Sequence, residues 1–202
     1  MDLALALPAF VALFVVIDPV GLAPLFVALT SGMVPRARRA VALRAVCVAM
    51  AILLLFGLAG EAVLNFLGIS MPAFRIAGGI LLFLTALDML FERRTERREG
   101  QAQSAHDPAV FPLAIPLIAG PGAIAAMILL TGQSTTTLDL VLIHLVMAAV
   151  LACVLILFFL ASPLETLLGR TGIVVVTRLL GMLLAALSVQ FVIDGLRDLQ
   201  VI

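Results

Sequence analysis

Two short runs place proline and glycine together inside stretches that are otherwise apolar. The first is Asp18-Pro19-Val20-Gly21 and the second is Ala119-Gly120-Pro121-Gly122. A proline inside a helix removes a hydrogen bond and clashes with the preceding turn, at a cost of about 3 kcal/mol. After Pro19, and again after Pro121, a helix must restart, and its first N–H groups have no acceptor within it. Free N–H groups and the positive end of the helix dipole favour an anion such as a carboxylate. Asp18 adds a carboxylate to the first run. An acid deep in an apolar stretch is a functional candidate, as a carrier of a proton or cation. It is equally a plain helix cap, its oxygen accepting the N–H of Gly21 or Leu22 ahead of a proline at the first helical position. The two roles are compatible. Gly120 stands at the corresponding place in the second run, so any carboxylate chemistry is confined to the first.

Few other polar side chains lie within the apolar stretches. Thr85, Ser188 and Gln190 could line a polar pathway, although hydrogen bonding between helices, worth about 0.6–2 kcal/mol per contact, accounts for any one of them. Arg75 and Arg178 open two apolar blocks, and Asp88 and Asp194 lie near the far ends of the same blocks. Antiparallel packing would set Arg75 against Asp194 and Arg178 against Asp88, as alternating gates or simply as interface anchors. His144 reads as an interhelical histidine. Cys47 and Cys153 each fall inside an apolar block, where small-residue packing is expected rather than a disulfide. No catalytic or metal-binding motif is present, so neither an enzyme nor a metal site is expected, and no cofactor.

The elements that must hold these residues are apolar throughout. The chain has 202 residues, 64% of them hydrophobic, and a mean hydropathy of +1.28, against roughly 45–50% apolar content in a soluble domain. A spanning helix takes about 20 mostly apolar residues. Six such blocks are legible: Leu3–Leu29, Ala40–Leu67, Pro72–Phe91, Pro108–Leu130, Leu138–Leu160 and Ile173–Leu196. The first and fourth are broken at the two runs above, and an amphipathic turn, Pro163–Leu168, precedes the sixth. The start, Met1–Leu7, lacks the basic region of a cleavable signal. Net charge is zero and every basic residue is an arginine. These sit in short loops, which argues against nucleic-acid binding. Arg36, Arg38, Arg39, Arg93, Arg94, Arg97, Arg98 and Arg170 fall in loops on one side. The positive-inside rule puts that side, with the polar stretch 92–107, in the cytoplasm and both termini outside.

The chain also resembles itself at an offset of about half its length. Arg75-Ile76-Ala77-Gly78-Gly79 matches Arg178-Leu179-Leu180-Gly181, Asp18-Pro19-Val20-Gly21 matches Gly120-Pro121-Gly122-Ala123, and Glu61 matches Glu165. The expected organisation is a three-helix unit over residues 1–91, a polar loop over 92–107 and a second unit over 108–202. Three spans per unit is odd, so the second unit inserts upside down. The fold expected is therefore all-α and integral to the membrane, with six spanning helices as two inverted three-helix repeats and helices one and four broken. In transporters of this kind the breaks meet near the bilayer midplane and form the substrate site.

Asp18-Pro19-Val20-Gly21-Leu22-Ala23-Pro24-Leu25-Phe26 resembles the DPxGxxPxF signature of the MarC family of bacterial inner-membrane proteins. Pro112-Leu113-Ala114-Ile115-Pro116 through Gly120-Pro121-Gly122-Ala123-Ile124 resembles that family's second signature. Arg75-Ile76-Ala77-Gly78-Gly79 and Asp194-Gly195 fit as well. The resemblance implies a multi-pass bacterial inner-membrane protein and, through one branch of the family, transport of small neutral amino acids. The substrate carboxylate would then lie at the helix starts near Gly21 and Gly122, and Asp18 or broken-helix carbonyls would receive its ammonium. The partners of such a carrier are its substrate and the lipid; proton or sodium coupling and a homo-oligomer are both compatible with it. A membrane scaffold or assembly protein without transport is the alternative. A channel would need a more polar set of spans.

Overall fold

The computed structural model describes residues 3–91 and 107–201. Among these residues all regular structure is helical. The order is α1 (Leu3–Ile17), α2 (Pro19–Leu29), α3 (Pro35–Phe66), α4 (Met71–Leu90), α5 (Ala109–Ile118, wound as a π-helix), α6 (Pro121–Thr131), α7 (Thr137–Phe159) and α8 (Ala161–Asp198). Five stretches are long and apolar enough to cross a membrane, among them Leu5–Leu29, which runs through α1 and α2 as one span. The bent pair α5–α6 makes a sixth. The expected all-α arrangement of six spans with the first and fourth interrupted is what the chain adopts. The arginine-bearing stretch 92–106, with Arg93, Arg94, Arg97 and Arg98, lies outside the described residues.

Local chemistry sets most helix boundaries. α3 opens with Pro35 after an extended Val34, five residues earlier than the apolar pattern suggests. At about 1.5 Å per residue its 32 residues exceed a hydrocarbon core of about 30 Å, so the turns carrying Arg36, Arg38 and Arg39 extend beyond the apolar span. Ser70 caps α4 through the N–H of Ala73. Thr136 and Asp139 form a reciprocal capping box at the start of α7. The amphipathic turn expected at Pro163–Leu168 is the first part of α8. It is set off from the rest by Gly169, whose φ of 61° and ψ of 175° interrupt the helix; a positive φ of this kind suits glycine.

The second broken span departs further from a helix than its Ala119–Gly122 run implies. Phe111 and Ile115 both have φ −126° and ψ 124°. Each precedes a proline, and a residue before proline is pushed out of the helical region into extended backbone. The peptide bonds to Pro112 and Pro116 are cis. The N–H of Leu113 donates to Pro108 O and that of Ala119 to Ala114 O, five residues back in each case, which is the wide winding of a π-helix. Between α5 and α6 the chain bends by 53°.

α4 and α8 form the most extensive contact and run antiparallel. Gly195 faces Pro72 and Ile76, Gly79 faces Ser188 and Val192, and Gly181 faces Ala86, Met89 and Leu90. These are the equivalent helices of the two halves, so their opposed directions mean that one half is inverted relative to the other. The other principal contacts obey the same exchange. α3 packs on α5 and α6 as α7 packs on α1 and α2, and α6 meets α4 as α2 meets α8. Each half is thus buried mainly against the other. Exposed leucines such as Leu55, Leu58 and Leu183 give the bundle an apolar exterior suited to lipid.

A Cβ on Gly79 would lie 2.8 Å from the backbone oxygen of Ser188 and 3.1 Å from the N of Val192. Backbone cannot step aside as a side chain can, so α4 would be forced away from α8. Gly79→Ala is expected to cost about 1–3 kcal/mol. A lower melting temperature by circular dichroism in detergent checks this, with Ala77→Gly on the exposed face as the reference.

Candidate functional site

The first break is closed from within. Asp18 ends α1, its N–H donating to Phe14 O, and stands as the cap of α2 with φ 58° and ψ 65°. Left-handed backbone is uncommon outside glycine, and aspartate is one of the side chains that tolerates it, through local hydrogen bonding. The turn curls the carboxylate over the start of α2. Its Oδ1 accepts the N–H of Gly21 at 3.0 Å, and its backbone oxygen accepts that of Leu22 at 3.1 Å. Pro19, the first residue of α2, has no N–H to satisfy. Gly21 makes the turn possible, because a Cβ there would lie 2.1 Å from Asp18 Oδ2. Asp18 is fully buried. The hydroxyl of Thr177 in α8, itself buried, approaches Oδ1 at 3.5 Å. The cap expected of Asp18 is therefore present, and the group standing at the start of α2 is the chain's own aspartate side chain.

The second break is left open. Ala119 ends α5 and Gly120 is extended, with φ −83° and ψ 171°. A Cβ on Gly120 would lie 2.3 Å from Pro116 O, so only glycine fits beneath the π-wound turn. α6 then begins at Pro121 with no side-chain cap. The first N–H of α6 to re-enter a ladder is that of Ile124, to Gly120 O. The N–H groups of Gly122 and Ala123 precede it, and among the described residues neither has a side-chain acceptor. Both residues are buried, whereas Pro121 is exposed.

The two breaks adjoin. A Cβ on Gly122 would be 3.3 Å from Cγ1 of Val16, two residues before Asp18, and 3.5 Å from both Leu82 Cδ2 and Thr85 Oγ1. The structure therefore sets Gly122 of the second break beside Thr85 and beside Val16, at the end of the helix that Asp18 closes. The Thr85 hydroxyl donates to Leu81 O at 3.0 Å, one turn back.

Ser188 and Gln190 do not join this group. Ser188 is buried where α8 crosses Gly79, and its hydroxyl donates to Ala185 O. It lies eleven positions beyond Thr177, about 16 Å along the helix. Gln190 is exposed and donates to Asp194. The proposed pairing of Arg75 with Asp194 is also replaced: Arg75 pairs with Asp198. Gly195 packs on Pro72 and Ile76, a register that sets Arg75 level with the last turn of α8, one turn past Asp194. Arg178 and Asp88 lie at the opposite end of the same helix pair, where Gly181 meets Met89.

Thr177 was not among the expected site residues. Its signal was present, since it is one of the few hydroxyls in the sixth apolar block, but only the fold shows that it faces Asp18. A second group also emerges at the arginine-bearing end. Phe26 stacks on Phe158 with ring centroids 4.4 Å apart, Arg38 lies over Phe26 at 5.1 Å, and Arg38 donates to the Ser162 hydroxyl. This ties the end of α2 to α3, α7 and the start of α8. Arg44 pairs with Asp107 at 2.9 Å across the same end.

The closed break makes a quantitative expectation. Asp18→Asn keeps both the acceptor and the tolerance of left-handed backbone, and should melt close to the parent protein. Asp18→Ala should lose about 1 kcal/mol of capping. Gly21→Ala should lose a similar amount by expelling the same carboxylate. Asp18→Ala combined with Gly21→Ala should then cost about 1 kcal/mol less than the two singles added together. Unfolding of the four proteins in mixed micelles measures this coupling, and strict additivity would contradict the geometry.

Comparison with known proteins places the chain among membrane proteins. A UPF0056 membrane protein of Methanocaldococcus jannaschii is 39% identical over 98% of each chain. One from Archaeoglobus fulgidus is 39% identical over 94% of this chain and 91% of its own. The UPF0056 inner membrane protein YhgN of Escherichia coli is 35% identical over 94% of both. No solved structure matches. The pattern of the MarC family integral membrane proteins matches residues 3–200, and with both broken spans in place the chain belongs to that family.

Proposed function

We propose that this protein is a secondary transporter of small neutral amino acids that works by alternating access between its two inverted halves. One observation supports the reading above all: α6 begins within the broken span with the N–H groups of Gly122 and Ala123 uncapped by any side chain among the described residues, beside the break that holds Asp18. A carboxylate is the natural ligand for such an end. The corresponding end of α2 holds Asp18 already, so the substrate carboxylate has one berth, at α6, rather than two. Asp18, close by, supplies negative charge for the ammonium group. Val16, Leu82 and Thr85 lie close around Gly122, which favours a small ligand.

The same reading puts the protein in the inner membrane of a bacterium, where the Escherichia coli relative YhgN is named an inner membrane protein, with the arginine-bearing end in the cytoplasm and the termini in the periplasm. The Arg75–Asp198 pair closes the terminal end of the α4–α8 contact. The cluster of Phe26, Phe158 and Arg38 ties α2, α3 and α7 together at the arginine-bearing end. No catalytic or cofactor role is assigned to any residue.

Uptake of labelled glycine and alanine into proteoliposomes under an imposed proton or sodium gradient tests the proposal. Small neutral amino acids should compete, whereas their methyl esters, which lack the carboxylate, should not. Asp18→Asn should lower the rate or change its pH dependence. Absence of uptake for the whole panel, or equal competition by the esters, would favour a scaffold without transport.

A further inference from the structure

The part of α3 that extends beyond the apolar span carries Arg36, Arg38 and Arg39, and Arg44 follows about two turns after Arg36. The protein itself engages two of the four. Arg38 lies over the Phe26 ring and donates to Ser162, and Arg44 pairs with Asp107 at 2.9 Å. Arg36 and Arg39 are exposed. Among the described residues neither forms a hydrogen bond or an ion pair, although Asp88, Asp107 and Glu165 stand at the same end of the bundle. α3 has no acid of its own before Glu61, near its far end. Arg36 and Arg39 are three positions apart, so they are neighbours on one side of the helix, with Cβ atoms about 5–6 Å apart. Side chains lean toward the start of their helix, which here is away from the bilayer core. The same side continues into the membrane as an unpartnered apolar stripe. Ala40, Leu43, Cys47 and Ala51 follow at steps of three or four and are all exposed, Leu43 by 47%. The opposite side, with Ala42, Ala45 and Ala49, is buried against the other helices.

We propose that this stripe docks one anionic phospholipid of the arginine-bearing leaflet. Its phosphate lies between Arg36 and Arg39, and an acyl chain runs along Ala40, Leu43 and Cys47. Charge complementarity selects the occupant. Two guanidinium groups one turn apart, with no acceptor on the protein, match phosphate oxygens, which arginine binds through paired N–H groups. A zwitterionic lipid brings a cation of its own next to the phosphate and leaves the arginines in excess. A glycerol headgroup brings none. The depth is also right. Leu43 lies about 6 Å below Arg39 along the axis and Cys47 about 6 Å further, so the stripe turns from charge to hydrocarbon as a lipid does at the headgroup boundary. The site does not rest on the transport reading, because no substrate enters it.

Native mass spectrometry of the full chain, with phosphatidylglycerol and phosphatidylcholine added to the micelles, reads bound lipid and oligomeric state together. The parent protein should retain phosphatidylglycerol over phosphatidylcholine. Arg36→Gln combined with Arg39→Gln should weaken that retention about 10- to 30-fold, the contribution of two arginines at an anionic surface. Arg97→Gln combined with Arg98→Gln removes the same charge from the 92–106 stretch and should keep the parental retention. Equal loss in that control overturns the proposal, since it leaves only a general attraction between a basic end and an acidic lipid. Equal retention of the two lipids by the parent overturns it too. So does a dimer that separates in the Arg36 and Arg39 variant, which makes a second copy the occupant. Phosphatidylglycerol with a photoactivatable acyl chain tests the stripe without any variant. Its adducts should concentrate between Ala40 and Ala51. An even spread that takes in Ile156 and Phe159, exposed near the end of α7 on the same side of the membrane, overturns the assignment.

Discussion

A backbone N–H or C=O that leaves the helical ladder inside a bilayer must find its partner within the protein, because lipid offers none. This chain leaves the ladder twice, and much of its architecture follows from how those departures are accommodated. At the first, an aspartate in left-handed conformation carries the chain from one helix into the next. Its backbone oxygen continues the ladder to Leu22 and its carboxylate takes the N–H of Gly21. Pro19 contributes by having no N–H to satisfy. At the second, the π-wound turns of α5 absorb two prolines by reaching five residues back instead of four.

The surrounding helices make both departures tolerable. α4 and α8 approach closely through Gly79, Gly181 and Gly195, each facing backbone or the near end of a side chain. That contact brings Thr177 of α8 to Asp18 and Thr85 of α4 to Gly122. A pseudo-twofold relation is visible here: each break receives a threonine from the equivalent helix of the opposite half. In lipid, where apolar association has no water to drive it, such close backbone packing and the few buried polar contacts carry the association.

The sequence made some of this legible and hid the rest for physical reasons. The six apolar blocks, the paired breaks and the inverted halves follow from spacing alone, since the bilayer thickness and the proline geometry leave few alternatives. Asp18 as a cap could be read from its place before Pro19. The π-winding of α5 could not, although Pro112 and Pro116 were in view: proline predicts a disturbance, while the way it is resolved depends on what α3 packs against. The partner of Arg75 was misplaced by one turn because helix register is set by where Gly195 seats on Pro72 and Ile76. That choice is made by side-chain packing and leaves no periodic trace. Thr177 was missed for the same reason, since its facing depends on the rotation of α8 after the interruption at Gly169.

The asymmetry between the two breaks is the last step. Two inverted copies with the same cap would present the same half-helix end twice and would offer a ligand no preferred direction at the midplane. Replacing the aspartate by Gly120 in the second copy removes both the carboxylate and the side-chain cap, so one end is neutralised from within and the other keeps its donors. A ligand of the proposed kind would find oxygen acceptors at Asp18 and hydrogen-bond donors at Gly122, a polarity that neither copy supplies alone. A purely structural kink would have no use for that difference, because a cap at both breaks would be the more stable choice. The uncapped start of α6 is therefore the feature that a role beyond packing must explain.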